Sequence, residues 1–164
     1  MKVILIAAVS ADGYIARSQD DPIKKTSRAD KKLFVELTTQ AGTIVMGGTT
    51  YRTIGKALSG RRNIVYTRQM SEEPGIEITQ ELPDQLVARL EKEGNHTIAV
   101  CGGRAIYDMF LAADVVDELY LTVEPVLYGQ GISLASSLLN LHLQLLDSRL
   151  LNENTMLLHY AVAK

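Results

Sequence analysis

Tryptophan is absent from this chain, cysteine occurs once, at Cys101, and only four prolines are spread over 164 residues. A single cysteine excludes an internal disulfide and fits a reducing cytoplasm. No low-complexity tract or linker divides the chain, so residues 1–164 read as one domain, long enough for a sizeable core. There is no run of Lys and Arg, and a net charge of −2 gives no support to nucleic-acid binding. No apolar run reaches the ~20 residues of a membrane span. Residues 1–9 are largely apolar but run straight into the turn Ser10-Ala11-Asp12-Gly13, so they read as a buried first strand rather than a signal segment. His96, His142 and His159 show no metal-ligand spacing, and no G-x-S-x-G elbow of a hydrolase occurs. What remains is an ordinary globular composition, 46% hydrophobic and 22% charged.

Against that background two glycine pairs stand out. Gly102-Gly103 separates the strand-like run Thr97-Ile98-Ala99-Val100-Cys101 from the helix-like run Arg104-Ala105-Ile106-Tyr107-Asp108-Met109-Phe110-Leu111. Upstream, Thr43-Ile44-Val45-Met46 runs into Gly47-Gly48-Thr49-Thr50, where a short helical segment can follow. Backbone without a Cβ lets a ligand come close, and a helix starting after such a turn offers free N–H groups to an anion. Two turns of this kind suggest a long, multiply charged ligand, for which a dinucleotide is the natural candidate; a plain tight bend is the other reading of each. Neither turn has the G-x-G-x-x-G spacing or the P-loop lysine, so such a ligand would sit on another scaffold.

The remaining pattern alternates. Residues 3–9, 43–46, 63–67, 76–79, 97–101 and 118–123 read as strands, 27–40, 83–93 and 104–113 as helices, and 10–26 as a polar loop. Two β-like stretches, 141–150 and 155–162, close the chain. The order predicts a mostly parallel sheet with an antiparallel edge. The Leu-rich run 134–146 reads as loop and strand continuing over the core, with an interface as the second reading. Cys101, inside an apolar strand, reads as a packed small hydrophobe rather than a nucleophile.

In the helix 27–40, Leu33, Phe34, Leu37 and Ala41 share one face, and Asp30 falls on it three residues before Leu33. An acid at the edge of an apolar face is costly unless partnered. One reading is a capping box, in which Asp30 bonds back to the Ser27 N–H. The other makes Asp30 the polar anchor of a ligand pocket, its pKa raised by burial so that it can hold or relay a proton near neutral pH.

Several segments together resemble the dihydrofolate reductase superfamily, which includes the reductase domain of riboflavin biosynthesis. They are Leu5-Ile6-Ala7-Ala8 with Asp12-Gly13-Tyr14-Ile15-Ala16, Val45-Met46-Gly47-Gly48-Thr49-Thr50-Tyr51, Leu58-Ser59-Gly60-Arg61-Arg62-Asn63-Ile64-Val65, Gly102-Gly103 with its helix, and Glu118-Leu119-Tyr120-Leu121-Thr122. The resemblance implies a three-layer α/β fold with a central, mostly parallel sheet of about eight strands and helices on both faces. It implies an NADPH-dependent oxidoreductase, with Asp30 gripping the amidine edge of a pterin and assisting proton delivery, and Thr122 supporting that carboxylate. Phe34, Ile6 and Ala8 would line the ring pocket, Leu58 would touch the aminobenzoyl part of folate, and Arg61 would take its α-carboxylate. Ala8 and Ile15 would border the nicotinamide, with Tyr107 near its reactive face. Gly47, Thr49, Gly102, Gly103 and Ala105 would frame the cofactor's phosphates, Arg68 would meet the adenosine 2′-phosphate, and Gly48, Thr50, Thr67, Arg104 and Ile106 would also bind the cofactor.

The chain also departs from the family. It lacks the tryptophan usual before the acid-bearing helix, where it has Asp20-Asp21-Pro22-Ile23-Lys24-Lys25, and Gly48 replaces a basic residue. Ser10-Ala11-Asp12-Gly13 and the segment 116–129 read more like the riboflavin branch. The expected reaction is hydride transfer to dihydrofolate. The alternatives are reduction of the phosphoribosylated pyrimidine of riboflavin synthesis, or a module that holds a dinucleotide or pterin without reducing it. The expected partner is a small-molecule substrate, without nucleic acid or membrane, bound by a monomer or homodimer.

Overall fold

β1 (Lys2–Ser10) is apolar on both sides because both sides are covered. In the computed structural model, Val3, Leu5 and Ala7 enter one core and Ile4 and Ile6 the other. The structure describes residues 1–19, 21, 26–69 and 73–164. After β1 come β2 (Tyr14–Ala16), α1 (Arg28–Ala41), β3 (Gly42–Gly47), α2 (Gly48–Ile54), β4 (Arg62–Tyr66) and β5 (Ile76–Thr79). The chain continues through α3 (Pro83–Lys92), β6 (Thr97–Val100), α4 (Arg104–Ala112), β7 (Glu118–Glu124), β8 (Ile132–Ser133), β9 (His142–Leu150) and β10 (Met156–Ala163).

Eight strands form one sheet in the order β5-β4-β3-β6-β1-β7-β10-β9. All neighbouring pairs are parallel except those made by β10, which runs against both β7 and β9. Leu86 and Leu90 of α3 and Ile106 and Phe110 of α4 fill the core on one face, and Leu33 and Leu37 of α1 fill that on the other. The fold is thus the expected three-layer α/β arrangement. β1, β3 and β6 lie side by side, so Ala8 and both glycine turns meet at the carboxyl edge of the sheet, where open α/β sheets bind their ligands.

Two stretches differ from the sequence expectation. Residues 10–26 are not loop throughout: β2 lies within them and pairs with β8, more than a hundred residues away, in a separate two-stranded ribbon. Three residues carry too short a pattern to announce a strand. The run 134–146 also divides. Leu134, Leu139 and Leu141 pack against the core, but all nine residues of β9 are exposed, with Leu145 at 53% and Leu150 at 62%. Among the described residues β9 is an edge strand paired with β10 alone, so strand propensity there is served by one ladder and not by burial.

Ser27 is the N-cap of α1: its side chain accepts a hydrogen bond from the Asp30 N–H at 3.1 Å. The return half of a capping box is missing. The Ser27 N–H donates instead to Oε1 of Glu124, at 3.0 Å. The Asp30 carboxylate is therefore released from capping.

Candidate active site

Asp30 is only 8% exposed, yet its side chain lines a cavity of about 500 Å³ at the sheet edge. That volume lies in the range of small-molecule sites. β7 pairs with β1 so that Thr122 lies beside Ala8, which brings the Thr122 hydroxyl under the first turn of α1. The Thr122 and Thr26 hydroxyls lie beside the Asp30 carboxyl, where they favour its charged form. Burial is the largest influence on this acid and pushes its pKa up; the two hydroxyls and Lys31 pull it down, and the charge of Glu124 adds to the rise. Phe34, one turn along α1 from Asp30, shares the cavity wall, as do Ile6 and Ala8 of β1. A flat ring placed there would have apolar side chains around it and one acid at its edge.

The two glycine turns form the opposite wall and are stitched together, since the Gly47 N–H donates to the Gly102 carbonyl at 2.8 Å. Gly102 has φ +92°, and the peptide joining it to Gly103 is cis. Tyr107 lies directly behind the turn, with its hydroxyl donating to the Ile6 carbonyl at 2.7 Å. It is 5% exposed, and burial pushes its phenol well above the ordinary value, so it is a protonated structural donor that also borders the cavity. Gly103, Arg104, Ala105 and Ile106 bring the first turn of α4 to the cavity. Gly47, Gly48, Thr49 and Thr50 line it from the second turn, and Ile15 of β2 from the flanking ribbon. α2 has only seven residues, so α4 is the substantial helix of the pair.

Other expected residues lie off the wall. Leu58 packs against the core beneath α1, and Asn63 Oδ1 accepts its N–H at 2.8 Å. Arg61 donates from Nη1 to Thr38 Oγ1 at 2.9 Å and from Nε to the Ser59 carbonyl at 3.1 Å. Its guanidinium is thus tied to α1 eight residues beyond Asp30, ~12 Å along the helix at 1.5 Å per residue. Gly102 lies just behind the wall. Thr67 approaches the Gly48 backbone, whose added Cβ would meet Thr67 Oγ1 at 3.0 Å, while Arg68 is exposed. Cys101 is buried, and its thiol is pushed up to about 12, which suits packing and not attack. Of the stretch where the family's tryptophan would fall, residues 20 and 22–25 lie outside the described residues.

Two residues that matter here carry little signal in the sequence. Arg52 donates from Nη2 to Thr49 Oγ1 at 3.2 Å, and its Nη1 lies 3.4 Å from where a Cβ on Gly48 would be. A guanidinium from one helical turn later thus stands over position 48, a spacing that i, i+4 neighbours on a helix allow. Asp12 accepts from Ser10 Oγ, Tyr128 N and Gly129 N at 2.7, 3.1 and 2.7 Å. The Asp12-Gly13 turn thereby pins the distant loop 128–131 next to β2.

The family model described as dihydrofolate reductase matches residues 2–126. A dihydrofolate reductase of Staphylococcus haemolyticus is 30% identical over 123 residues, covering 74% of this chain and 69% of its own length. In fold, the chain is similar to a putative riboflavin biosynthesis protein of Shewanella sp. PV-4, with a TM-score of 0.83 at 22% identity and full coverage of both chains. It is also similar to a dihydrofolate reductase of Enterococcus faecalis complexed with NADP(H), with a TM-score of 0.74 at 19% identity, covering 99% of this chain and 97% of that one.

Proposed function

The chain belongs to the dihydrofolate reductase family of oxidoreductases, and from that premise we propose that it reduces a C=N bond of a flat, nitrogen-rich heterocycle with NADPH, dihydrofolate being the first choice of substrate. The observation that carries this reading is Asp30, a buried acid freed from its capping duty and set in the wall of the cavity. The phosphoribosylated pyrimidine of riboflavin synthesis is the second reading, favoured by the similarity in fold to the Shewanella protein.

The residues present fit the cofactor. The glycine cradle leaves backbone open to the cavity, the first turn of α4 offers N–H groups to a pyrophosphate, and a guanidinium fills the space over Gly48. NADPH, when bound, supplies the hydride that goes to the imine carbon. The protein binds, orients and moves a proton. As a carboxylate, Asp30 would accept two parallel hydrogen bonds from the amidine edge of the ring, which fixes its orientation. Thr122 holds the carboxyl in place, and Phe34, Ile6 and Ala8 keep the ring flat and exclude water. The proton required by the adjacent nitrogen passes through Asp30, so the C=N bond becomes CH–NH. Leu58 and Arg61 would meet the far end of an elongated substrate. An acidic tail is common to folate and to a ribosyl phosphate, so Arg61 suits either.

The test follows NADPH absorbance with dihydrofolate and, separately, with the pyrimidine. Oxidation of the coenzyme with dihydrofolate supports the first reading, and oxidation with the pyrimidine alone moves the protein to the second. Tight NADPH binding without oxidation by either makes it a binding module.

Arg52, bonded to Thr49 and sharing with Thr67 the space over Gly48, would hold the phosphate that distinguishes NADPH from NADH. Loss of one charge-assisted contact is worth roughly 1.5–3 kcal/mol, or about ten- to a hundredfold in affinity. Arg52→Gln is therefore expected to weaken NADPH by that factor in a fluorescence titration and to leave NADH unchanged. Equal weakening of both coenzymes would show that Arg52 acts on the fold of the turn and not on the phosphate.

A further inference from the structure

Glu124, the last residue of β7, is a second buried carboxylate next to Asp30, 8% exposed, and the reaction as described does not use it. Its Oε1 accepts from the Ser27 N–H at 3.0 Å and from Ser27 Oγ at 2.9 Å, and its Oε2 accepts from Thr155 Oγ1 at 3.4 Å. Thr155 is itself 1% exposed. A buried carboxylate is costly unless its lone pairs are occupied, and these donors occupy them.

The arrangement determines what Ser27 can do. A serine hydroxyl has one proton to give. Ser27 gives it to Glu124, so a lone pair is left for the Asp30 N–H at 3.1 Å. Glu124 also takes the backbone N–H of Ser27, the donor that Asp30 would otherwise reach back to in a capping box. Thr122 and Glu124 are two residues apart on β7 and so point to the same face, one toward Asp30 and the other toward its cap. One strand thereby sets both ends of the first turn of α1.

We propose that Glu124 is a positioning residue for Asp30: by taking both donors of Ser27 it keeps the Asp30 carboxylate out of the capping box and available to the cavity. The proposal rests on the reductase reading, for which Asp30 is the working acid. The groups facing Asp30 are Glu124 and Thr122 from β7, Thr26 from the segment before α1, Lys31 from α1 itself, and Tyr107 from α4. Tyr107 stays protonated because it is buried. Glu124 is thus the like charge in this set, and its loss lowers the Asp30 pKa.

The experiment uses carboxyl-carbon and amide NMR on the full chain, so it needs no substrate. In the unaltered protein the Ser27 amide, held by Glu124, should not follow the ionisation of Asp30. In Glu124→Gln, Asp30 should titrate alone and at lower pH. In Glu124→Met, which has no oxygen to accept with, the Ser27 amide should begin to follow the ionisation of Asp30, as the capping box closes, and turnover should fall about tenfold or more from misplacement of the acid. The limb of the pH–rate profile that reports Asp30 should move down in Glu124→Gln by as much as the NMR midpoint does. A loss of stability alone, with the Ser27 amide still blind to the ionisation of Asp30 in Glu124→Met, overturns the proposal. So does a Ser27 amide that already follows the ionisation of Asp30 in the unaltered protein, a measurement that stands even if neither variant folds. Absence of NADPH oxidation with any heterocycle would instead overturn the reductase reading and leave the NMR result standing.

Discussion

Asp30→Asn is expected to lower turnover of the heterocycle by about a hundredfold or more, the usual scale for removing a positioned acid, while NADPH affinity stays within about twofold in the same titration. Asparagine keeps one oxygen that can accept from Thr122 and Thr26, so the local packing survives. It cannot offer two acceptor oxygens to an amidine edge, and it has no proton to relay. Affinity for the substrate and rate of the chemical step should therefore fall together. The wall proposed for the coenzyme is built from the glycine turns and α4, which the substitution does not touch. Turnover equal to the unaltered protein would remove Asp30 from the mechanism.

The same substitution should not destabilise the protein at neutral pH. Burial raises the pKa of Asp30 in the folded state above its ordinary 3.8. A raised pKa means that the folded protein holds the proton more tightly than the unfolded chain. The contribution to stability is then fully present below pH 3.8 and is lost as pH rises through the folded pKa. Above that window the buried charge is a cost, and Asp30→Asn removes it. Thermal melts should show the variant at or above the unaltered protein at pH 7, with the advantage gone when both are melted below pH 3.8. An acid kept in place at a cost to stability is what a site built for function predicts; a lower melting point at pH 7 would argue that Asp30 is there for the fold.

How much of this was legible in the sequence depended on the range of the interaction. β1 was readable because burial on both faces writes an unbroken apolar run, and α1 because its face repeats with helical period. Gly102-Gly103 was readable because few residues other than glycine adopt φ +92°. The fate of Asp30 was not, since a capping box and a pocket acid share the same local pattern. What decides between them is Glu124, 97 residues from Ser27 along the chain. Arg52 was hidden for a related reason: its value comes from standing over a Gly48 that has no side chain of its own. β2 and β8, each too short to show a period, exist because Asp12 and the backbone of residues 128–129 tie their segments together. In β9 the sequence carried strand propensity without saying whether a layer would cover it.

Gly102→Ala and Gly103→Ala should give opposite results one residue apart. At Gly102, φ is +92°, and a built Cβ falls 2.7 Å from both Cζ and Oη of Tyr107. That ring has nowhere to go. It is 5% exposed, and its hydroxyl is held by the Ile6 carbonyl at 2.7 Å. Pushing it aside moves the strand that carries Ile6 and Ala8, and the same shift strains the Gly47-to-Gly102 bond that joins the two turns. Backbone strain and overpacking each cost about 1–3 kcal/mol, so a loss of about 3 kcal/mol or more is expected, roughly 6–12 °C in melting temperature for a chain of this size. At Gly103 the φ is −73°, and a Cβ would meet only Thr50 Oγ1 at 3.5 Å, an ordinary contact. That methyl group would stand in the cavity wall, where the proposed coenzyme's phosphate would approach backbone. Gly103→Ala should thus melt within about 1 kcal/mol of the unaltered protein, the ordinary scale of a glycine replacement, yet bind NADPH at least about tenfold more weakly. If Gly103→Ala binds the coenzyme as well as the unaltered chain does, the glycine pair is only a tight bend, and the coenzyme's phosphates lie elsewhere.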